Sequence, residues 1–177
     1  MSSRVSFITF TRNSSSDIRS LLEHIHELVD EIIVIDGFSE DSTTDIARSY
    51  GAKVFLRKPW GFLEPDRMFA LNRATCTWIL HLDCDERLGR EFKENLRNLL
   101  EKAERENISA YSSLRVYLTT NKKPILGNFY NRQIRLYRRE GVQYRGIIHE
   151  LPRVSGRIFN LPDNFYILHM SNLSTKT

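Results

Sequence analysis

The segment Trp78-Ile-Leu-His-Leu-Asp-Cys-Asp-Glu86 joins a short, mainly apolar run to a cluster of three carboxylates. A run of large apolar residues bounded by polar ones is typical of a strand that is buried on both faces of a parallel sheet. The carboxylates follow that run directly, and ligands of open parallel sheets bind beyond the carboxyl ends of the strands. The segment therefore predicts a parallel sheet and a candidate site at its edge.

The chain before this segment alternates between strand-like and helix-like patterns. The predicted strands cover residues 5–10, 31–35, 53–56 and 78–82. The predicted helices between them are one capped by Ser16, a short one capped by Ser42 and stopped by Gly51, and one over residues 65–75. This alternation predicts a parallel sheet with helices on both faces and right-handed crossovers.

The second part of the chain has a different pattern. From Gly89 the apolar positions indicate one long amphipathic helix, and beyond it apolar and polar residues alternate over residues 114–118 and 134–137, which predicts half-exposed antiparallel strands. With 177 residues, the chain is long enough for one domain and short for two. We expect a single α/β domain over residues 1–177. Its mostly parallel central sheet would be flanked by helices, with a smaller antiparallel or mixed C-terminal region.

The charged residues are unevenly distributed along the chain. Residues 1–103 contain 14 basic and 17 acidic residues, whereas residues 104–177 contain 12 and 5. A basic stretch in the second half interleaves Arg132, Arg135, Arg138, Arg139 and Arg145 with Tyr130, Tyr137 and Tyr144. Alternation places Arg135 and Tyr137 on one strand face, which suits an anionic acceptor, an anionic membrane surface or simply solvent. No motif for DNA or RNA binding is present, so nucleic acid is not an expected partner.

Cysteine content and hydropathy bear on the compartment. Cys76 and Cys84 are too few for a disulfide framework and lack the spacing of metal ligands, which favours a reducing compartment. Residues 1–10 lack the basic start and cleavage site of a signal peptide, and no apolar stretch reaches about 18 residues. We expect a cytoplasmic protein that does not span a membrane. Peripheral contact with the inner face of the cytoplasmic membrane is compatible with that expectation.

Asp83 and Asp85 are the sharpest functional signal. Carboxylates two residues apart on an extended chain can project to the same side, and their hard oxygen atoms suit Mg²⁺ or Mn²⁺ that carries a diphosphate. The alternative is an acidic turn that caps the following helix. Asp36 directly follows another predicted strand. Its carboxylate could bind a nucleobase or ribose, or it could close an Asx-turn. These two roles of Asp36 are compatible.

Three stretches follow one another in an order that is typical of one enzyme family. They are the strand from Val5 that ends in Thr11-Arg12-Asn13, then EIIVIDGFSEDSTTDIARSYGAKV at residues 31–54, then RMFALNRATCTWILHLDCDERL at residues 67–88. This pattern resembles family 2 glycosyltransferases, whose GT-A fold is built around a nucleotide-sugar site. The resemblance extends from about Val5 to His169 and is greatest to the branch that contains lipopolysaccharide-core glucosyltransferases.

The resemblance implies a reaction and its site residues. The reaction is inverting, metal-dependent transfer of a sugar from a nucleoside-diphosphate sugar, with UDP favoured, to a saccharide or glycolipid hydroxyl in cell-envelope polysaccharide or lipopolysaccharide synthesis. The nucleotide-binding residues would be Thr11, Arg12, Asp36, Arg67 and Asp83, with Asn72 and Arg73 as weaker matches beside Arg67. Asp83 and Asp85 match the family's Asp-x-Asp motif, which places Mn²⁺ or Mg²⁺ on the diphosphate, and Asp85 would be the direct ligand. A metal and an arginine there would stabilise the negative charge on the leaving nucleoside diphosphate.

Inverting transfer also needs a base that takes the proton of the acceptor hydroxyl. Glu150, in the segment GIIHE, resembles the His-Glu pair after the family's acceptor region and is the expected base, the alternative being a surface glutamate paired with an arginine. Asp163 is the second choice, and Glu86 lies too close to the metal ligands. His149 or His169 would complete the metal shell or contact the diphosphate. A lone histidine beside apolar residues is more commonly a core group.

Three other classes of protein are alternatives. Haloacid-dehalogenase-like phosphatases carry Asp-x-Asp on the first strand with Thr or Val soon after it, whereas here the motif is on a later strand and Arg87 follows. A nucleotidyltransferase would need a glycine-rich phosphate loop, which residues 10–14 lack. The third is a non-catalytic nucleotide-sugar-binding module that acts as a partner subunit. The Asp-x-Asp motif and Glu150 argue against that module. The short chain favours it, and the shortness is compatible with a compact enzyme, with a truncated acceptor side or with dependence on a partner.

Overall fold

The computed structural model describes residues 3–58, 64–117, 131–144 and 152–170. Its strands are β1 (Val5–Thr11), β2 (Glu31–Asp36), β3 (Lys53–Leu56), β4 (Trp78–His81), β5 (Glu86–Leu88), β6 (Ile108–Tyr117), β7 (Asn131–Arg138), β8 (Val142–Gln143), β9 (Arg153–Val154), β10 (Arg157–Asn160) and β11 (Tyr166–His169). Its helices are α1 (Ser15–Ile25), α2 (Thr43–Ser49), α3 (Glu64–Arg73), α4 (Arg90–Glu94) and α5 (Leu96–Glu106). The predicted strand and helix alternation of the first part is confirmed.

Most strands of the described chain belong to one sheet. Its order is β3-β2-β1-β4-β7-β6-β11-β5, with β10 beside β6. Strands β1 to β4 are parallel, and β6, β10 and β11 run in the same direction as they do, whereas β7 and β5 are antiparallel to their neighbours. Strands β8 and β9 form a separate antiparallel pair. The predicted mostly parallel sheet is therefore confirmed, as is the antiparallel pairing of the strands that hold residues 114–117 and 134–137.

The sheet is covered on both faces. Val5 and Phe7 of β1 pack in one apolar cluster with the buried sides of α1 and α5, whereas Ile8 packs in a second cluster with α3. Trp78 is fully buried, and its ring stacks on that of Tyr111 with centroids 6.2 Å apart. Because neighbouring side chains of a strand point to opposite faces, this burial requires the continuous apolar runs seen in the sequence.

The helices differ from the predictions in two main respects: one begins at a different residue, and another is divided in two. The predicted long helix after Gly89 is two helices, because Asn95 leaves the helical conformation at φ −107° and ψ 11°. Its side-chain Nδ2 and its backbone N–H both donate to the carbonyl of Glu91, at 2.9 and 3.1 Å, which closes α4 at that residue. Helix α1 begins at Ser15 with Ser14 at its cap, not Ser16, whereas Ser42 does precede α2. In the part of the chain described here, no helix is long and apolar enough to cross a membrane.

A buried carboxylate joins several strands at the amino-terminal edge of the sheet. Glu31, at the start of β2, accepts hydrogen bonds from the Ser6 hydroxyl, from the Thr75 backbone N–H at 2.9 Å and from Lys53 Nζ at 2.7 Å. Burial opposes its ionisation, but the Lys53 ammonium and the other donors outweigh burial and lower the pKa of Glu31 from 4.5 to about 2. Its ionised form therefore stabilises the contacts between β1, β2, β3 and the segment before β4.

We expect folding stability to fall in acid partly through Glu31. Because the pKa is lower in the folded than in the unfolded state, the stabilisation is complete above the unfolded value of 4.5 and is lost as the pH falls towards 2. Glu31→Gln should lose about 2 kcal/mol of unfolding free energy at pH 7. Urea denaturation between pH 7 and 3 measures both effects.

The control is Glu101→Gln, which changes an exposed carboxylate on α5. Between pH 5 and 3, the unfolding free energy of Glu31→Gln should fall less than that of the wild type or of Glu101→Gln. Parallel stability curves for all three proteins would show that Glu31 does not contribute in this way.

Candidate functional site

Asp36 links the loops that follow β1 and β2 at the carboxyl edge of the sheet. Its buried carboxylate accepts hydrogen bonds from the Thr11 hydroxyl at 2.7 Å and from the Ser39 hydroxyl at 2.6 Å, both on Oδ2. The Ser39 backbone N–H donates to Oδ1 at 2.8 Å. The structure thus has Asp36 in the Asx-turn role, with both oxygens engaged. Its contact with a nucleoside stays a prediction.

Two residues in these loops have left-handed backbone conformations. Asn13 has φ 47° and Phe38 has φ 59°, and Phe38 is 55% exposed. The Asn13 N–H donates to the Ser39 hydroxyl, and its side-chain oxygen accepts from the Glu40 N–H, both at 2.8 Å. These reciprocal bonds hold the two loops in one arrangement, beside which Arg12 is exposed.

The Asp-x-Asp motif forms a closed four-residue turn between β4 and β5. The Glu86 N–H donates to the Asp83 carbonyl at 2.9 Å, and the Asp83 N–H donates to the Glu86 carboxylate at 3.1 Å. Cys84 lies inside the turn with its sulfur 3.6 Å from the Thr9 hydroxyl, and burial raises the pKa of its thiol to about 12. The thiol is therefore protonated and unreactive, and it fills space between the turn and β1.

Arg135 corrects the prediction of a half-exposed basic strand. Its side chain is only 5% exposed, and its Nη2 donates to Asp83 at 2.8 Å and to Glu86 at 2.7 Å. Burial opposes the ionisation of Asp83, but contact with the His81 ring and the charge of Arg135 hold its pKa well below its ordinary value. Asp83 is thus a carboxylate with a permanent cationic partner.

Other arginines of the same stretch also bind groups of the protein. Arg132 donates to the Leu161 carbonyl at 3.0 Å and to Asp163 at 2.8 Å, and Arg138 pairs with Glu104 at 3.0 Å. The predicted second-choice base, Asp163, therefore forms an ion pair at the surface. The described arginines of this stretch therefore bind carboxylates and carbonyls of the protein and do not form a free basic surface.

His81 connects Arg67 to Asp83. Arg67 Nη1 lies 3.2 Å from His81 Nδ1, and His81 Nε2 lies 3.6 Å from Asp83 Oδ1. The same Nη1 lies 3.4 Å from Nε2, so the guanidinium, which can only donate, faces both ring nitrogens. Burial lowers the pKa of His81 to about 4, so the ring is neutral at pH 7. Sequence reasoning treats His81 as a purely structural residue, but it lies beside the Asp-x-Asp motif.

The two weaker pyrophosphate candidates do not join Arg67. Arg73 lies over the rings of Phe69 and Phe55, 4.9 and 5.3 Å from their centroids, and Asn72 is exposed. Arg67, in contrast, lies 5.6 Å from the Phe10 ring centroid and close to the Asp83 side of the sheet edge. Among these three, Arg67 is the residue that the fold brings to the candidate site.

Asp85 and His169 meet because β5 pairs with β11. His169 Nε2 lies 3.2 Å from Asp85 Oδ2, and the Met170 N–H donates to the Asp85 carbonyl at 2.7 Å. Gly89 permits this approach, since a Cβ at that position would lie 2.9 Å from the Tyr166 carbonyl oxygen. Burial lowers the pKa of His169, and its buried Nδ1 has no hydrogen-bond partner among the residues that the structure describes. Asp85 remains 39% exposed.

This pair can hold a hard divalent cation. Within the described ranges, no group of three or more His, Cys, Asp or Glu side chains is arranged to hold a metal ion. A carboxylate and a neutral imidazole nevertheless suit Mn²⁺, and Mg²⁺ or Mn²⁺ bound to phosphates commonly keeps several waters and needs few protein ligands. The two aspartates have different partners, so Asp85 is the better ligand. Glu150 and His149 lie outside the described residues.

Sequence reasoning missed the roles of Glu86, Arg115 and Arg135. Arg115 Nε lies 3.2 Å from Glu86, which is fully buried. The apolar alternation in β6 and β7 predicts that their arginines share a face but does not show what that face covers. The signal that could have revealed these ion pairs is the presence of arginines on one face of two neighbouring strands, together with a cluster of carboxylates elsewhere in the chain.

Comparisons with known proteins identify the family and agree with the fold. The family model described as glycosyl transferase family 2 matches residues 6–158. An uncharacterized glycosyltransferase of Rickettsia felis is 28% identical over 146 residues, which cover 82% of this chain and 51% of that protein. Among solved structures, the mannosyltransferase PcManGT from Pyrobaculum calidifontis, in complex with GDP-Man and Mn²⁺, has a TM-score of 0.53 at 22% identity, over 65% of this chain and 36% of that chain. Glucosyl-3-phosphoglycerate synthase from Mycobacterium tuberculosis, in complex with Mn²⁺, UDP and glucosyl-3-phosphoglycerate, has a TM-score of 0.51 at 25% identity, over 64% and 44%.

The mostly parallel mixed sheet is the architecture of GT-A glycosyltransferases. The chain belongs to glycosyl transferase family 2. It spans about half the length of the Rickettsia felis relative. The resemblance to the lipopolysaccharide-core branch stays a prediction.

We expect Arg135→Met to destabilise the protein strongly, because it removes the cation that Asp83 shares with the fully buried Glu86. The loss should be about 3–5 kcal/mol of unfolding free energy. Adding Glu86→Gln should restore part of it, since the fully buried carboxylate of the two is then neutral. Urea denaturation at pH 7 measures both variants.

Arg90→Met is the matched control, because Arg90 pairs with Glu94 on the surface, and it should have little effect. Equal stability of Arg135→Met and Arg90→Met would contradict the role of Arg135 described above.

Proposed function

We propose that the chain transfers a sugar from a nucleoside-diphosphate sugar to a hydroxyl of a saccharide or glycolipid. UDP is the favoured nucleotide, and transfer inverts the anomeric configuration with Mn²⁺ or Mg²⁺ as cofactor. The observation that carries this proposal is the Asp85–His169 pair beside the arginine-bound Asp83 at the carboxyl edge of a family 2 sheet. The mannosyltransferase and the synthase described above were solved with Mn²⁺ and a nucleotide or nucleotide sugar, which supports the same ligand class here.

Asp85 and His169 would hold the cation in this proposal. They offer one carboxylate oxygen and Nε2 of a neutral imidazole, and diphosphate oxygens and water would complete the shell. When bound, the cation supplies positive charge at the diphosphate, where negative charge increases as the bond to the sugar breaks. Asp83 would lie beside the nucleotide, where Arg135 fixes its carboxylate.

The nucleoside would bind along the loops after β1 and β2. Thr11 and Asp36 hold those loops together, so they would act mainly by keeping the binding surface in one arrangement. Arg12 is exposed there and is free to approach a phosphate or ribose. Arg67 would supply a second cation near the pyrophosphate, oriented by its hydrogen bond to His81.

Glu150 is the proposed base. It would take the proton from the acceptor hydroxyl on the face of the sugar opposite the leaving diphosphate, which is the requirement for inversion. His149 beside it would contact the diphosphate or the metal. We further propose residues 1–177 as one GT-A domain that acts in cell-envelope polysaccharide or lipopolysaccharide synthesis, at the inner face of the cytoplasmic membrane.

The first prediction of this proposal concerns ligand binding. The wild type should bind UDP more tightly with Mn²⁺ than without it, and a ligand at a hundred times its Kd adds about 2.7 kcal/mol of stability. A thermal-shift screen of UDP, GDP and dTDP, with and without Mn²⁺, measures this and orders the nucleotides. Asp85→Asn should abolish the Mn²⁺-dependent shift, because it removes the charge of the direct ligand.

Asp45→Asn, which changes an exposed carboxylate on α2, is the control and should keep the shift. A metal-dependent shift that survives in Asp85→Asn would exclude Asp85 as the ligand. No shift with any nucleotide in the wild type would reject the proposed donor class.

The second prediction concerns chemistry. Glu150→Gln should lower the rate of sugar transfer about 10²- to 10⁴-fold because it removes the base. Binding of UDP and Mn²⁺ should stay at the wild-type level. Turnover of a panel of nucleotide sugars, combined with the thermal-shift measurement, checks both statements. Unchanged turnover in Glu150→Gln would assign the base elsewhere. If the wild type binds nucleotides but turns over none of the nucleotide sugars, a non-catalytic nucleotide-sugar-binding subunit is favoured.

A further inference from the structure

Glu86 has a fully buried carboxylate beside the candidate metal pair, and the proposed function assigns it no role. Its side chain is 0% exposed, whereas those of Asp83 and Asp85 are 33% and 39% exposed. Moving a carboxylate out of water is unfavourable unless the group is paired and hydrogen-bonded. The contacts of Glu86 therefore indicate its role.

Glu86 closes the turn that carries both aspartates. One of its carboxylate oxygens accepts the Asp83 N–H at 3.1 Å, while its own N–H donates to the Asp83 carbonyl at 2.9 Å. These two bonds join the first and last residues of the turn in both directions. The backbone at Asp85, between them, consequently has little freedom to rotate.

The other oxygen of Glu86 binds the neighbouring strands. It accepts from Arg135 Nη2 at 2.7 Å and lies 3.2 Å from Arg115 Nε. The same Nη2 also donates to Asp83 at 2.8 Å, so one guanidinium orients two carboxylates. The turn is thus fixed to β7 by the charge-assisted hydrogen bonds of Arg135, which are stronger than neutral ones, and its Glu86 forms an ion pair with Arg115 on β6.

The strand pairing brings Glu86 opposite the candidate metal-binding histidine. Glu86 is the register partner of His169 in the antiparallel pair of β5 and β11. The preceding residue, Asp85, contacts the same histidine through its carboxylate at 3.2 Å. A displacement of Glu86 would therefore move Asp85 and His169 relative to each other.

We propose that Glu86 is a positioning residue that sets the separation and orientation of Asp85 and His169 for a divalent cation. This inference rests on the proposed function, since it concerns the same cation. Glu86 does not bind the cation. It acts through the turn, through Arg135 and through the β5–β11 register. Residues that orient metal ligands commonly change metal affinity 10- to 100-fold when they are replaced.

The experiment is a titration of the full chain with Mn²⁺ in the presence of saturating UDP, followed by the electron paramagnetic resonance signal of free Mn²⁺. It gives the Kd for Mn²⁺ and the number of sites per chain separately. In Glu86→Gln the Kd should rise about 10-fold or more. The control, Glu94→Gln, changes a half-exposed carboxylate of α4 and should keep the wild-type Kd.

The folded fraction of each variant distinguishes positioning from a purely structural role. Reversible unfolding raises the apparent Kd only by the inverse of the folded fraction, so a variant that urea denaturation shows to be about nine-tenths folded owes at most about a 1.1-fold rise to unfolding. Should Glu86→Gln fold too poorly to measure, Glu86→Gln with Arg115→Met removes one charge of each sign and is the second variant. A raised Kd in that double variant supports the inference as well.

Two results would overturn the inference, and they differ in what else they reject. Wild-type Mn²⁺ affinity in the foldable Glu86 variant would reject the positioning role alone and leave the proposed function standing. Failure of the wild type to bind Mn²⁺ with UDP would reject the proposed function, and the positioning role with it.

Discussion

The buried ion pair between Arg135 and the carboxylates of Asp83 and Glu86 is the interaction on which the candidate site depends. Asp83 and Glu86 lie on the acidic first part of the chain, and Arg135 comes from the basic second part. The fully buried Glu86 would not be stable as a carboxylate without a cation, and an unpaired Arg135 at 5% exposure would be equally unfavourable. The pair therefore joins the two parts of the chain electrostatically where the site lies. The acidic excess of the first part and the basic excess of the second are thus explained in part by ion pairs inside the protein, such as that of Arg135 with Glu86.

Local patterns explain how much of the fold could be predicted. The apolar runs of β1, β2 and β4 are continuous because both faces of each strand are covered, and that property can be read from neighbouring residues alone. The position of Asp83 and Asp85 after β4 follows from the same reasoning. Strands β5 and β11 could not be predicted in this way, because each is three or four residues long and is stabilised mainly by pairing with a distant partner. The contact of Asp85 with His169 depends on that pairing, although the family resemblance alone makes His169 a candidate metal or diphosphate ligand.

Arg135 shows why the inward side of a strand is hard to predict. Alternation correctly groups Arg135 with Tyr137, but it cannot show whether their common face meets solvent or buried carboxylates. Asn95 is a similar case on a smaller scale, since its non-helical backbone and side-chain hydrogen bond to Glu91 lie where two helices meet, although the apolar spacing continues without interruption. In both cases the deciding interaction is a polar one, and apolar periodicity carries no information about it.

The pairing of β5 with β11 also bears on the order of folding. Asp85 and His169 are about 80 residues apart in sequence, and contacts at such separation form late because the loop between them must first be closed. The strands β1 to β4 can pair from the first half of the chain as it leaves the ribosome. The acidic turn would meanwhile lack its arginine and its histidine, so a newly synthesised chain would complete the Asp85–His169 pair only when the last described strand had docked.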